Sequence, residues 1–323
     1  MEAERIYSGA NSAIWHSHHE ASCLSLSTTR EEDYVATLIR VGTPLLAERW
    51  AEVLAPHGVS IRVSGVFCHG RPQVRFDHPG APVELADLLI VHRHMSKSKR
   101  SFCRALLIQA KMSDDGTHVL APTDAQLHLF TTWPDFVFVD RSMDPAVRKL
   151  KETGKGSRYA LVRKTNDYPE YISWPDQSPW AEAKPAVLLE GKKSFAKTLG
   201  DMLLGLDGRP TALVKPANDW SRLIAELLET TGAKTFRRAN IRLDPKPRLT
   251  DTEFPGELTL FVTHSQSFTP APGNLMSLLG VNLPPMPQNS LGGGGSVIRD
   301  VTPEESNLPG GISTLAIETQ SLD

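Results

Sequence analysis

The segment from Glu84 to Lys111 constrains the fold more than any other part of the chain. It contains two apolar runs, ELADLLIV and RALLIQAKM, separated by the basic stretch HRHMSKSKRSFC. Runs of this length are typical of buried strands. The first nevertheless contains Asp87, and the second contains Gln109 and Lys111. Because an unpaired buried charge is costly, we expect both strands to present these residues to a common site.

Strand geometry predicts which of these polar side chains can meet. Successive side chains point to opposite faces of a sheet, so Gln109 and Lys111 share a face. If the two strands pair as a hairpin, Asp87 can reach that pair near one end of the sheet. Glu84 has the opposite parity, which predicts that its side chain points to the other face.

The three residue types suit one cation and one phosphate. Carboxylate and amide oxygens are ligands that Mg²⁺ accepts, and Mg²⁺ keeps several of its waters. Asp87 and Gln109 are therefore the predicted ligands for Mg²⁺ or Mn²⁺. In phosphodiester hydrolysis the metal polarises the phosphoryl oxygen and generates a nucleophile, while Lys111 would stabilise the developing charge.

Composition limits the class of protein. A chain of 323 residues with 40% hydrophobic residues can form one large domain or two smaller ones. The net charge of -2 excludes a chain that is polybasic throughout. Its 3 cysteines, Cys23, Cys68 and Cys103, are too far apart for a disulfide framework or a CxxC zinc module. We found no apolar signal core and no membrane-spanning run, so we expect a cytoplasmic protein.

Four sections of the chain are expected. Residues 1–27 are interpreted as a polar N-terminal segment. Its sequence WHSHHEASC offers zinc-ligand types, but the usual second ligand pair is missing. Residues 28–165 are the predicted core, residues 166–269 a C-terminal extension or subdomain, and residues 270–323 a flexible tail rich in Pro, Gly, Ser and Asn.

Within the core, periodicity predicts a helix over about residues 28–54 that Gly42 and Pro44 interrupt. Strands are predicted at VSIRVSGVF, with QVRFD as its partner, and at the two apolar runs. A helix capped by Thr123 or Asp124 then leads to the strand PDFVFVD, which we expect to lie parallel to RALLIQAKM. SRYALVRK is a further predicted strand.

Together these residues and elements resemble the PD-(D/E)XK nuclease superfamily over about residues 30–140. Asp87 matches its metal-binding Asp, and Lys111 matches its catalytic Lys. Gln109 stands where Asp or Glu is usual, and the sequence IQAK is similar to the Gln-x-Lys version of Mrr-like restriction nucleases and antiphage effector nucleases. The chain departs from the pattern because no Pro precedes Asp87 and because Gln109 removes a negative charge from the metal site.

The resemblance implies an α/β fold with a restriction-endonuclease-like αβββαβ core, in which helices flank a mixed central sheet. It implies a Mg²⁺-dependent endonuclease acting on DNA in restriction or antiphage defence. It also implies an acid on the first helix, for which Glu32 is the candidate and Glu48 the rival. Further expectations are a homodimer or a partner subunit of a defence system, and no membrane.

Basic clusters predict where a nucleic-acid backbone would bind. The loop between the two motif strands carries cations and no acid, and we expect it to contact phosphates beside the metal site. Its predicted contacts are Arg93, Lys97, Lys99, Arg100 and Arg104. Residues 148–164 and 234–238 form two further basic stretches.

Two other interpretations remain open. Because Gln109 weakens the metal site, the chain is alternatively a catalytically inactive nuclease-fold protein that binds nucleic acid or serves as an assembly subunit. The third interpretation is an unrelated α/β protein in which Asp87, Gln109 and Lys111 occur together by accident.

Overall fold

The fold is that of a mixed α/β protein in which helices flank a mixed central sheet. It is seen in a computed structural model. The residues that the structure describes are 2–24, 29–68, 72–77, 81–96, 101–140, 143–151, 155–165, 167–172, 174–175, 178–232, 260–266, 297–300 and 311–321.

The described helices are α1 (Glu2–Leu24), α2 (Glu31–Thr37), α3 (Thr43–Leu54), α4 (Ala125–Thr132), α5 (Phe195–Leu203) and α6 (Asp219–Gly232). A π-helical turn, Leu38–Gly42, joins α2 to α3, and a 3-10 turn, Ala55–His57, follows α3.

The first eight described strands are β1 (Val59–Phe67), β2 (Gln73–Phe76), β3 (Val83–Glu84), β4 (Leu88–Met95), β5 (Phe102–Ser113), β6 (Thr117–Val119), β7 (Phe136–Phe138) and β8 (Ser157–Arg163). They are followed by β9 (Trp180–Ala183), β10 (Leu188–Glu190), β11 (Lys193–Ser194), β12 (Arg209–Pro210), β13 (Leu260–Gln266), β14 (Val297–Asp300) and β15 (Thr314–Ser321).

Most of these strands form one large sheet with the order β11-β9-β8-β5-β4-β15-β1-β13-β14, and β12 pairs with the beginning of β5. The two motif strands, β4 and β5, pair antiparallel with Leu88 opposite Ile108. β8 runs parallel to β5, and β15 runs parallel to β4. Two small sheets, β3-β2-β7 and β10-β6, lie apart from the large one.

Each face of the large sheet is covered by its own apolar cluster. The first cluster joins α1, α2, α3 and α5 to one face, including Leu88 and Ile108. The second joins α4, α6 and the β2–β7 pair to the opposite face, including Leu89 and Leu107. Alternate residues of β4 and β5 therefore point to opposite layers, as the period of a strand requires.

The predicted interruption of the first core helix is a change of helix type. Pro44 lies in the first turn of α3, and residues 38–42 form the π-helical turn before it. Proline lacks the N–H that would continue an α-helical hydrogen-bond ladder, so the ladder is remade with a wider turn. Gly42 lies at the end of that turn, with α3 beginning at Thr43.

The C-terminal prediction is wrong where it can be checked. Residues 270–323 were expected to be a flexible tail, but β15 lies within the large sheet between β1 and β4. β14 pairs with β13 in the same sheet, and the remaining residues of that range lie outside the described part. Residues 166–269 were expected to be an extension or a subdomain, and in the described part of this range β9 extends the large sheet and α5 packs in the first cluster.

Three local predictions also need correction. The segment that was interpreted as polar forms the helix α1, in which Ile6, Ala10, Ala13 and Ile14 make a buried apolar face. PDFVFVD forms β7, which pairs antiparallel with β2, whereas β8 in SRYALVRK is the strand parallel to β5. β2 does not pair with β1 in the described sheets, where the neighbours of β1 are β13 and β15.

Candidate active site

The structure brings Asp87, Gln109 and Lys111 together at one end of the β4–β5 pair. Asp87 precedes β4 and donates its backbone N–H to the carbonyl of Ile108 at 3.0 Å. Its Oδ2 accepts a hydrogen bond from the backbone N–H of Ala110 at 2.7 Å. The carboxylate thus occupies the place along β5 where the next residue of a longer β4 would have paired.

A second carboxylate docks on the same edge of β5. Backbone N–H groups of alternate residues point to the same side of a strand, so those of Ala110 and Met112 both face the side that β4 has left. Oε1 of Glu31, in the first turn of α2, accepts the N–H of Met112 at 3.2 Å. The two N–H groups are about 7 Å apart along the strand, which brings the Glu31 and Asp87 carboxylates into one neighbourhood.

Gln109 connects this edge to α4. Its side chain is 6% exposed and hydrogen-bonds the Asp87 carboxylate. The Oε1 of Gln109 accepts a hydrogen bond from Nε2 of Gln126, which also donates to the carbonyl of Glu84 at 3.1 Å. Gln126 is placed there because Asp124 caps α4, accepting the N–H of Leu127 at 2.7 Å.

The environment of the site raises the pKa of Asp87. The pKa of its carboxyl is raised from 3.8 to about 7, chiefly by burial and to a smaller extent by the charge of Glu31. The N–H of Ala110, the charge of Lys111 and the Gln109 hydrogen bond act in the opposite direction. An ionised Asp87 is therefore incompletely compensated, and a proton or a cation beside it would be stabilised.

Tyr159 lies next to Gln109 on the neighbouring strand, β8. It is fully buried. Burial raises the pKa of its hydroxyl, with smaller contributions from the charges of Asp124 and Asp87. Its hydroxyl has no hydrogen-bond partner among the described residues. Sequence reasoning missed Tyr159 because a tyrosine in an apolar strand is normally part of the core.

The first-helix acid at the site is Glu31 rather than the predicted Glu32. Glu32 Oε1 lies 3.4 Å from Arg30 Nη1, and Glu48, the rival, is exposed on α3. Periodicity contained the signal, since Glu31 precedes buried Val35 by four residues and buried Leu38 by seven. A helix places such residues on one face, so Glu31 belongs to the face that packs toward the sheet.

Of the predicted contacts of the basic loop, the structure describes Arg93 and Arg104, and neither lies beside this site. In an antiparallel hairpin the start of the first strand and the end of the second lie away from the connection, so Met95, the last residue of β4, is about 26 Å along the strand from Asp87. Arg93 Nη1 lies 3.9 Å from Glu318 Oε1, and Arg104 donates to the carbonyl of Gly208 at 2.8 Å. Lys97, Lys99 and Arg100 lie outside the described residues.

No group of three or more His, Cys, Asp or Glu side chains suited to a metal occurs in the described part of the chain. This covers the described histidines of α1, of which buried His18 is 3.0 Å from the carbonyl of Thr165 and accepts from Trp180 Nε1 at 3.3 Å. The helices within the described ranges include none long and apolar enough to cross a membrane.

Comparisons of the chain with protein-family models, with curated proteins and with solved structures found no match. Support for a function therefore comes from the residues and their geometry.

Proposed function

We propose that the chain is a divalent-metal-dependent nuclease that hydrolyses phosphodiester bonds of DNA. The observation that carries the proposal is the edge of β5 beyond the end of β4. Two carboxylates, from Asp87 and Glu31, bind successive N–H groups of that edge, and Lys111 lies between those positions in sequence. Acids that approach from two separate elements beside a lysine suit a metal ion and a phosphate.

The donor set fits Mg²⁺ or Mn²⁺. Mg²⁺ is commonly bound by one or two carboxylates and retains several waters, so Asp87 and Glu31 are sufficient as protein ligands. The raised pKa of Asp87 has the direction expected where the balancing positive charge comes from a bound ion. A metal bound there would polarise a phosphoryl oxygen and lower the pKa of a bound water.

Lys111 has a separate role in this proposal. It is half-buried, and it shares a strand face with Gln109 because the two residues are two positions apart. Its charge already acts on the Asp87 carboxyl. We propose that its ammonium contacts the phosphate under attack and stabilises the negative charge that develops there.

The chain order of elements supports a restriction-endonuclease-like core. When the small-sheet strands β2, β3, β6 and β7 that lie between them are set aside, α3, β1, β4, β5, α4 and β8 give the order αβββαβ, and β8 is parallel to β5. A departure is that β15 lies between β1 and β4. DNA as substrate, endonucleolytic cleavage and a role in defence rest on the sequence resemblance alone.

The test is cleavage of supercoiled plasmid with Mg²⁺ or Mn²⁺. We expect Asp87→Asn and Lys111→Met to lower the rate about 100-fold or more, because each removes charge stabilisation at the transition state. Glu31→Gln should lower it less, with the loss partly recovered at higher metal concentration. Glu32→Gln is the matched control on the same helix and should cleave like the wild type.

Equal cleavage by the wild type, Asp87→Asn and Lys111→Met would contradict the proposal, and so would cleavage that persists in EDTA.

A second function is favoured by one observation. The Gln109 oxygen is already engaged by Gln126, and Gln109 replaces the acid that would have been a third anionic ligand. The alternative is therefore a nucleic-acid-binding or assembly subunit with an inactive site. It predicts salt-dependent DNA binding that survives Lys111→Met, with no metal-dependent cleavage by the wild type.

A further inference from the structure

A second concave site lies at the N-terminal end of α6. It is a cavity of about 540 Å³, here named the α6 pocket. Its wall is formed by Lys151, Arg209, Pro210, Ala217, Asn218, Asp219, Trp220 and Arg222. None of these residues belongs to the site at Asp87.

The α6 pocket carries an excess of positive charge. Its wall contains the cations of Lys151, Arg209 and Arg222 and one acid, Asp219. Asp219 pairs with Arg222, and the wall as a whole holds more cations than acids. The guanidinium of Arg209 lies 4.8 Å from the centre of the Trp220 ring, which fixes its position at the wall.

The helix adds a partial positive charge at the same point. α6 has 14 residues, and Asn218 Oδ1 caps it by accepting the N–H of Ser221 at 2.8 Å. The first N–H groups of a helix and its macrodipole favour an anion near this end.

Trp220 supplies an independent indication of a ligand. It lines the α6 pocket, is 1% exposed, and its Nε1 has no hydrogen-bond partner in the described part of the chain. Buried N–H donors are nearly always paired, with protein, ordered water or a bound ligand. An unpaired donor in the wall of a basic cavity is a position that an anionic oxygen would satisfy.

The pocket lies at a fixed distance from the Asp87 site. β12 places Arg209 opposite Ala105, four residues before Gln109 on β5, which corresponds to about 13 Å. The helix α4 gives a similar distance between the two sites. Gln126 lies in its first turn, at the Asp87 site. Trp133 follows its last turn and packs against Trp220 of the pocket, with ring centres 6.4 Å apart. The length of this helix is about 12 Å.

We propose that the α6 pocket binds a phosphate group of the nucleic-acid backbone, as a contact separate from the bond that is cut. Guanidinium, ammonium and helix N–H groups together match the oxygens of a phosphate. A nucleobase is not the expected occupant, because the Trp220 side chain is buried and Arg209 lies over its ring. The identification of the phosphate as part of DNA rests on the nuclease function proposed above.

The pocket itself is tested with inorganic phosphate, independently of cleavage. Phosphate that binds the folded protein should raise its melting temperature relative to chloride at equal ionic strength. We expect the double variant Lys151→Gln/Arg222→Gln to lose this increase. Lys192→Gln, which changes a 79% exposed lysine paired with Glu190, is the control and should keep it. If phosphate does not raise the melting temperature of the wild type, or raises that of the double variant equally, the proposal that the α6 pocket binds phosphate is wrong.

The source of the phosphate is tested with a short DNA duplex in EDTA, where no metal-dependent cleavage occurs. Each phosphate contact contributes about 0.9 to the slope of log affinity against log salt, so the double variant, which loses one such contact, should lose about 0.9 of that slope. If the double variant loses the stabilisation by phosphate but keeps the salt slope of DNA binding, the pocket does not bind the nucleic-acid backbone. The plasmid assay with Asp87→Asn reports separately on the nuclease.

Discussion

At the scale of single residues, the acids of the candidate site have two roles. Asp87 and Glu31 accept N–H groups of β5 that would otherwise lack a strand partner. A protein must satisfy such buried groups, so both carboxylates contribute to the fold before any ligand binds. Asp87 also bears a cost, since burial opposes its ionisation. A buried residue that is costly when charged, at the end of a strand pair, is a candidate for function.

Asp87→Asn should therefore stabilise the metal-free protein at alkaline pH. The folded state raises the pKa of Asp87 from 3.8 to about 7, so it binds more protons than the unfolded state between those values. The stability that the neutral Asp87 carboxyl gives to the folded state is fully present below about pH 4 and is lost as the pH rises through 7.

In EDTA, we expect Asp87→Asn to exceed the wild type in unfolding free energy by about 2 kcal/mol at pH 8, with no difference near pH 4. A tenfold change in protonation equals about 1.4 kcal/mol, and partial solvent contact reduces the full effect. Urea titrations across this pH range measure the difference. A gain that is constant with pH would contradict the assignment of the raised pKa to Asp87.

At the scale of elements, the contact of β1 with the π-helical turn positions α2 and hence Glu31. Gly65 of β1 faces this turn and the start of α3, where a Cβ would lie 2.7 Å from Thr43 Oγ1 and 2.8 Å from Ile39 Cγ2. Only glycine permits so close an approach of strand and helix. The packing thereby sets how near α2 lies to the edge of β5.

We expect Gly65→Ala to lower the unfolding free energy by about 1–3 kcal/mol, because the added methyl overpacks this contact. Urea unfolding measures the change. The double variant Gly65→Ala/Thr43→Ala removes one clashing atom and should recover part of the loss. An unchanged urea midpoint for Gly65→Ala would show that the helix can withdraw without cost.

At the scale of the whole molecule, the C-terminal strand joins two parts of the large sheet. β15 pairs with β1 on one side and with β4 on the other. Glu318 of β15 is 1% exposed, and its Oε2 accepts from Arg62 Nε of β1 at 3.1 Å. The last described residues are therefore as central to the fold as the strands that hold the candidate site.

Removal of residues 311–323 should abolish cooperative unfolding, because β1 and β4 would both lose a central partner and Arg62 would lose its buried carboxylate. Near-ultraviolet circular dichroism and urea unfolding measure this. Glu318→Gln keeps the strand but removes the buried charge, and should lower stability by about 3 kcal/mol while leaving the transition cooperative. A truncated protein that unfolds like the wild type would contradict the central position of β15.

Local patterns predicted the candidate site better than they predicted the fold around it. Strand parity placed Asp87 with Gln109 and Lys111, because the period of a strand fixes the face of every residue. The cap at Asp124 was also readable, since its side chain bonds a backbone group three residues away. Helical periodicity also carried a signal for Glu31, since it shares a helical face with buried Val35.

The sequence by itself determined the two motif strands, the faces on which their polar residues lie and the proline-induced break before α3, because each depends on neighbours close along the chain. Only the tertiary structure decided that Glu31 supplies the second carboxylate, that Arg93 and Arg104 lie away from it, and that β15 enters the sheet beside β4. These depend on pairing between segments far apart in the chain, such as Arg62 with Glu318, which are 256 residues apart. No local period encodes such pairing; it is fixed by how all the strands together bury their apolar faces.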